Sequence, residues 1–270
     1  METVPPMPQP RHVTLTGQRV RAWVGGKGPF LLLLHTGWGD AGMSWRNVWD
    51  RLALSFTVIA PDLPGFGESS RLLRPSLSAI SGLLKQLLDF LNVDRVIVVG
   101  NSFGASVAVQ FAGEFPAVTS NLVLVNGGYT PAIPGMVRTI FSLPLLNQIF
   151  GMLIRRISFS PGALKRAFVD PSCLPPGFLD TILNQSAKHA QLAQEFLLNQ
   201  AGPLAKPSVP TLILWGQQDR LSPMKYAHAL QAWLPEAGVI PIKGCGHMPQ
   251  IERPEDFLSA ILSLKPQRSQ

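Results

Sequence analysis

A serine hydroxyl is a weak nucleophile at neutral pH unless a base stands beside it and a buried acid orients that base. This 270-residue chain offers such a set in three separate loops. Ser102 lies in Gly100-Asn101-Ser102-Phe103-Gly104, between an apolar run and a helical pattern. In that context Gly-x-Ser-x-Gly is a sharp strand-to-helix turn that lifts the hydroxyl above a sheet edge. Small residues at 100 and 104 let neighbouring backbones approach. The helix start offers free N–H groups and a positive dipole end to developing negative charge. The Phe103 N–H is the expected first oxyanion donor. His247, in Gly244-Cys245-Gly246-His247-Met248-Pro249, is the expected base, and Asp219, closing Leu214-Trp215-Gly216-Gln217-Gln218-Asp219, the expected acid. Both follow strand-like runs, and ligands of open α/β sheets bind at the carboxyl ends of strands. The glycines of His35-Thr36-Gly37-Trp38-Gly39-Asp40 allow a second main-chain donor close to a reacting carbonyl, from Trp38 or Gly37. His35 itself is expected to be structural. His12, His189 and His228 have no motif around them and are expected to be ordinary surface or core residues. Asp62 is expected to stabilise its own turn.

These loops need a scaffold. His12 to Thr16 and Arg19 to Val24 have the pattern of a strand pair, with Gly25-Gly26-Lys27-Gly28 as a turn. Phe30 to Leu34, Phe56 to Ala60, Arg95 to Val99, Asn121 to Val125, Thr211 to Trp215 and Val239 to Ile242 read as further strands. Continuous apolar runs suit strands buried on both faces. Helical spacing fills the gaps: Ser44, as N-cap, through Leu54, Ser76 to Leu91, Ala105 to Phe115, Lys225 to Trp233 and Pro254 to Leu264. The alternation predicts an α/β fold, a mostly parallel sheet with helices on both faces. Between Tyr129 and about Lys206 only helical patterns and proline breaks occur. That stretch is too long for a loop, so residues 129–206 are expected to form an inserted helical subdomain, with 1–128 and 207–270 as the core domain. Helical spacing predicts that most of Met136, Ile140, Phe141, Leu145, Leu146, Ile149, Phe150, Leu153 and Ile154 pack against the core, the remainder lining an apolar pocket or an exposed lid.

The composition, 46% hydrophobic and 14% charged, argues against disorder. The net charge of +7 comes from scattered Lys and Arg, so a solvated basic surface is expected and no nucleic-acid partner. Arg155-Arg156 beside the apolar stripe suits a membrane surface or anionic lipid. Two isolated cysteines give no disulfide framework and point to a reducing, cytoplasmic setting. The first ten residues lack a signal-peptide pattern, and no run of about 20 apolar residues is present.

Taken together these motifs resemble the α/β-hydrolase superfamily, in its subgroup with a helical cap. The resemblance runs from about His12 to Leu264 and includes the His35–Asp40 loop, Asp62-Leu63-Pro64-Gly65-Phe66-Gly67-Glu68-Ser69, the serine turn, Gly216-Gln217-Gln218-Asp219 and Gly246-His247. The order Ser, Asp, His matches the superfamily's triad. A serine nucleophile points away from the epoxide hydrolases and haloalkane dehalogenases of this superfamily, which carry aspartate there. The Gly-Asn-Ser-Phe-Gly turn is similar to that of C–C bond hydrolases acting on ring-cleavage products. Those enzymes usually have Gly-Pro-Gly in the oxyanion loop and Trp after the histidine, where this chain has Gly37-Trp38-Gly39 and Met248.

The resemblance implies a carboxylesterase-like serine hydrolase acting on small or medium hydrophobic esters, with no metal or organic cofactor. A C–C hydrolase, thioesterase, acyltransferase or perhydrolase on the same three residues is the alternative reading. A ligand-binding receptor with slow turnover is a third.

Overall fold

The computed structural model describes residues 6–128, 135–141, 143–199 and 202–264. The chain opens with β1 (Arg11–Leu15) and β2 (Gln18–Gly26), an antiparallel pair. It continues with β3 (Phe30–Leu34), α1 (Ala41–Ala53), β4 (Thr57–Pro61), α2 (Leu77–Phe90), β5 (Val96–Asn101), α3 (Phe103–Glu114) and β6 (Thr119–Val125). Five α-helices then follow among the described residues: α4 (Gly135–Phe141), α5 (Pro144–Ser158), α6 (Pro161–Arg166), α7 (Phe178–Asn184) and α8 (Ser186–Asn199). The core resumes with β7 (Thr211–Gly216), α9 (Lys225–Trp233), β8 (Gly238–Ile242), α10 (Pro249–Glu252) and α11 (Pro254–Leu262).

The eight strands lie in the order β1-β2-β4-β3-β5-β6-β7-β8. From β4 to β8 every pairing is parallel. The apolar runs have a simple cause. Along a strand successive side chains point to opposite faces, and both faces of this sheet are covered. Leu32 and Leu34, Val96 and Val98, and Leu122 and Leu124 pack in the layer shared with α2 and α3. Leu31 and Leu33, Ile97 and Val99, and Val123 and Val125 pack in the opposite layer with α1 and α11.

Several expected boundaries move by one or more residues, two of them for a clear reason. Gly25 and Gly26 belong to β2, opposite Val58 and Thr57 of β4, so the turn begins only after them. Helix α1 is capped by Asp40 rather than Ser44: its carboxylate accepts the Met43 N–H at 2.7 Å, and Ser44 lies inside the first turn. Aspartate in extended backbone is a preferred cap, because its oxygen satisfies an otherwise unpaired N–H.

The inserted helices build a third apolar cluster. Phe159, Leu164, Phe168, Phe178 and Ile182 pack with Trp38, Met248 and Ile251 of the core loops. Ala167 accepts the His247 N–H at 2.8 Å, and Glu252 accepts the Val169 N–H at 2.8 Å. Most of the expected packing of the apolar stripe does not occur, although Phe150 is partly buried against this cluster. Of its residues only Ile154 is buried, while Met136 and Leu145 are 74% and 69% exposed. Helical spacing reports that apolar residues share a face, not that another element covers it. No single described helix is long and apolar enough to cross a membrane.

Candidate active site

Ser102 occupies the junction between β5 and α3 at φ 56° and ψ −112°. A non-glycine residue with positive φ is strained and persists only when its surroundings hold it there. The surroundings are backbone. The Ser102 N–H donates to Val125 O at 2.9 Å, and its carbonyl accepts the Ala105 N–H at 3.0 Å. A Cβ at Gly100 would collide with the Gly104 carbonyl, and one at Gly104 with the Leu34 carbonyl. The glycines are therefore what lets α3 start against β3 and β5.

His247 and Asp219 are both buried. His247 Nδ1 and Asp219 Oδ2 are 2.7 Å apart. An ionised carboxylate only accepts, so Nδ1 carries the proton and Nε2 is left as the acceptor. Asp219 Oδ1 also accepts the Leu221 and Ser222 N–H groups at 2.8 and 2.9 Å. Burial alone would push its pKa up. The facing His247, the Ser222 N–H and the Asn126 amide outweigh burial and hold the carboxyl below its ordinary value.

Asn126 is a site residue that the sequence reading does not single out. It directly follows β6 at φ 47°, fully buried, and donates to Asp219 Oδ2 at 2.6 Å and to the Gly246 carbonyl at 3.1 Å. Its own carbonyl accepts the Gly216 N–H at 3.1 Å. One side chain thus ties together the loops that carry Asp219 and His247. Asn101 does similar work beside the serine, donating to the carbonyls of Val125 and His247 and accepting from Gln250. Position offers a signal for both residues, since each lies at the carboxyl end of a central strand. Their residue type offers none.

Thr36, Gly37, Trp38, Ser102, Phe103 and His247 line one cavity of about 270 Å³. A Cβ at Gly37 would stand 3.6 Å from Phe103 Cβ, so the two expected donor segments face each other across a narrow gap. The Trp38 ring packs against the His247 imidazole with centroids 5.2 Å apart. The loop from His35 to Asp40 is anchored from behind. His35 is buried, with Nδ1 2.6 Å from Thr36 O and Nε2 accepting the Leu63 N–H at 2.9 Å. Burial pushes its pKa down. A neutral ring with the proton on Nδ1 satisfies both contacts. Asp62 holds more than its own turn: it accepts the Glu68 N–H, the Ala41 N–H and the Arg21 guanidinium, the last at 2.6 Å. Arg21 also donates to Asp40 at 2.8 Å.

The far wall of the cavity comes from the inserted helices, through Ile157, Ser158, Phe159, His189, Ala193 and Phe196. His12 and His228 are exposed, as expected of ordinary residues. His189 is buried and forms part of this wall, although its surrounding sequence carries no motif.

Residues 31–260 match the model of the alpha/beta hydrolase family. A 2-hydroxy-6-oxononadienedioate/2-hydroxy-6-oxononatrienedioate hydrolase of Pseudomonas putida is 32% identical over 254 residues, 88% of each chain. A solved putative lipase of Acinetobacter baumannii superposes with a TM-score of 0.74 at 25% identity, over 94% of this chain and 90% of its own. A thermophilic esterase of Thermogutta terrifontis does so with a TM-score of 0.73 at 24% identity, over 95% and 97%. With the parallel sheet, the strained serine turn and these matches together, the chain belongs to the α/β-hydrolase family and is a hydrolase.

Proposed function

We propose that this hydrolase cleaves esters of small to medium, uncharged, hydrophobic substrates through an acyl-enzyme on Ser102. The observation that carries the reading is the buried Asp219–His247 pair opening onto the same cavity as the strained Ser102. In this reading His247 Nε2 takes the Ser102 proton as the oxygen attacks the ester carbonyl. The main-chain N–H of Phe103 and that of Trp38 or Gly37 receive the oxyanion. The intermediate collapses, the C–O bond to the alcohol breaks, and His247 gives its proton to the leaving oxygen. A water then attacks the acyl carbon by the same route, His247 again accepting and returning the proton, which releases the acid and Ser102. Asp219 stays ionised throughout and orients the ring.

The lining supports an uncharged substrate. Among the described residues it carries no ionisable side chain apart from two histidines, and no Lys or Arg. A carboxylate buried there would have no cation to pair with. Carbon–carbon bond cleavage by the same residues is the second reading, favoured by the Pseudomonas putida relative. That relative's name specifies a dicarboxylate, which the lining described here does not suit.

The test is fluorophosphonate labelling of wild type and Ser102→Ala alongside turnover of a p-nitrophenyl ester series and of a ring-cleavage dienedioate. Labelling and ester turnover that disappear together in the variant support the proposal. Turnover of the dienedioate with none of the esters would overturn it in favour of the second reading.

A further inference from the structure

His189 is 0% exposed, yet among the described residues neither ring nitrogen has a hydrogen-bond partner. Buried polar groups are nearly always paired, and an orphan demands an explanation. The backbone of His189 is accounted for by α8, its N–H donating to Gln185 O at 3.0 Å. Its ring lies among aromatic rings, 5.0 Å from Phe66 and 6.1 Å from Phe159 between centroids. None of these offers a lone pair or an N–H in the ring plane. The residue is also part of the wall of the cavity that Ser102 and His247 line. A leucine or phenylalanine would complete this apolar wall at lower cost, because it has no polar atoms to desolvate.

We propose that His189 is a specificity-determining residue that hydrogen-bonds a polar oxygen on the non-reacting part of the substrate. The substrate class is then a hydrophobic ester bearing a further carbonyl or hydroxyl, rather than a plain hydrocarbon ester. The neutral imidazole has one N–H to give to a carbonyl and one lone pair to take a hydroxyl proton. It stays neutral at pH 7, because burial and then the nearby His35 and Lys188 push its pKa down to about 4. A neutral partner suits the uncharged lining. Phe66 touches both the His189 ring and the Phe103 ring, the latter at 5.9 Å. The oxygen that His189 would bond is then one other than the ester carbonyl, whose oxyanion the Phe103 N–H and the Trp38 or Gly37 N–H receive in this reading.

This inference rests on the ester-hydrolase reading, and the experiment separates the two. The ratio of kcat/KM for an oxo ester to that of its plain counterpart is measured with the oxygen in either arm: p-nitrophenyl 5-oxohexanoate against hexanoate, and 5-oxohexyl acetate against hexyl acetate. Wild type is expected to favour the oxo ester about tenfold in one arm, corresponding to ~1.4 kcal/mol. His189→Phe, which keeps a ring and removes both nitrogens, is expected to bring that ratio to about one, and His189→Gln to restore part of it. A residue that only packs would slow both esters alike and leave the ratio unchanged. A wild-type ratio near one in both arms, or an unchanged ratio in His189→Phe, would overturn the proposal. Fluorophosphonate labelling tells the two failures apart, because Ser102 can label while the ratio stays at one. If no ester turns over, binding of the uncharged ketone 5-nonanone, followed by tryptophan fluorescence through Trp38 in the cavity wall, replaces the ratio. Binding about tenfold weaker in His189→Phe supports the proposal, and equal affinity overturns it.

Discussion

Replacing His189 with phenylalanine should flatten part of the acid dependence of stability. In the folded protein this imidazole titrates at about 4 against an ordinary value of 6.5. Between those two pH values the unfolded chain binds a proton that the folded chain refuses, so protonation draws the equilibrium toward unfolding. The stability tied to His189 is therefore whole above pH 6.5 and is lost as the pH falls toward 4. Going from pH 7.5 to pH 5 the loss is about 2 kcal/mol, from the separation of the two titrations at 1.36 kcal/mol per unit. The phenylalanine variant has no such proton to refuse. Burial of His35 acts in the same direction, but it is present in both proteins and cancels in their difference. Urea unfolding of both proteins at pH 7.5 and pH 5 measures the effect. The stability of wild type minus that of the variant should fall by about 2 kcal/mol between the two conditions. A difference that does not change with pH would refute the reasoning, since it would mean that His189 is protonated equally in both states and is open to solvent.

Three further outcomes follow from the same geometry. Asn126→Ala removes a charge-assisted hydrogen bond to Asp219 at 2.6 Å. A bond of that kind contributes about 1.5–3 kcal/mol, so kcat should fall roughly ten- to a hundredfold with KM little changed. Steady-state kinetics on the folded variant check this, and an unchanged kcat would show that the Asp219–His247 pair holds itself in place. Gly104→Ala places a methyl against the Leu34 carbonyl, whereas Gly162→Ala meets nothing within 4 Å. Thermal melts should show a fall of several degrees or loss of soluble protein for the first, and little change for the second; equal melts would mean that the serine turn can relax. Helix α5 leaves Met152 and Ile157 64% and 55% exposed, the latter also lining the cavity, with exposed Arg155 and Arg156 in the same helix. Flotation with anionic vesicles should recover the protein more than with zwitterionic ones, and Arg156→Glu should reduce recovery; no recovery at low salt would exclude this contact.

Much of the site was legible because its chemistry sits in short local patterns. A glycine two residues either side of Ser102, a loop after β7 ending in Asp219 and a loop after β8 holding His247 each follow a strand that alternation and β-branched content reveal. The sheet's burial on both faces was legible for the same reason, since runs such as Phe30 to Leu34 have no polar side to show. The sequence alone thus determined a parallel α/β scaffold and put forward three candidate residues for its carboxyl edge. Tertiary structure decided what no local pattern encodes. Asn126 looks like any turn asparagine until β6 is placed between β5 and β7, where its amide reaches the loops of Asp219 and His247. His189 has the spacing of a core residue, and only the packing of α8 against Phe66 and Phe103 leaves its nitrogens, among the described residues, without partners in the cavity wall. The stripe from Met136 to Ile154 has the period of a buried face, but its exposure depends on whether another element lies against it. Periodicity fixes which side chains share a surface, whereas burial is a property of two surfaces, and the second one is set by the whole fold.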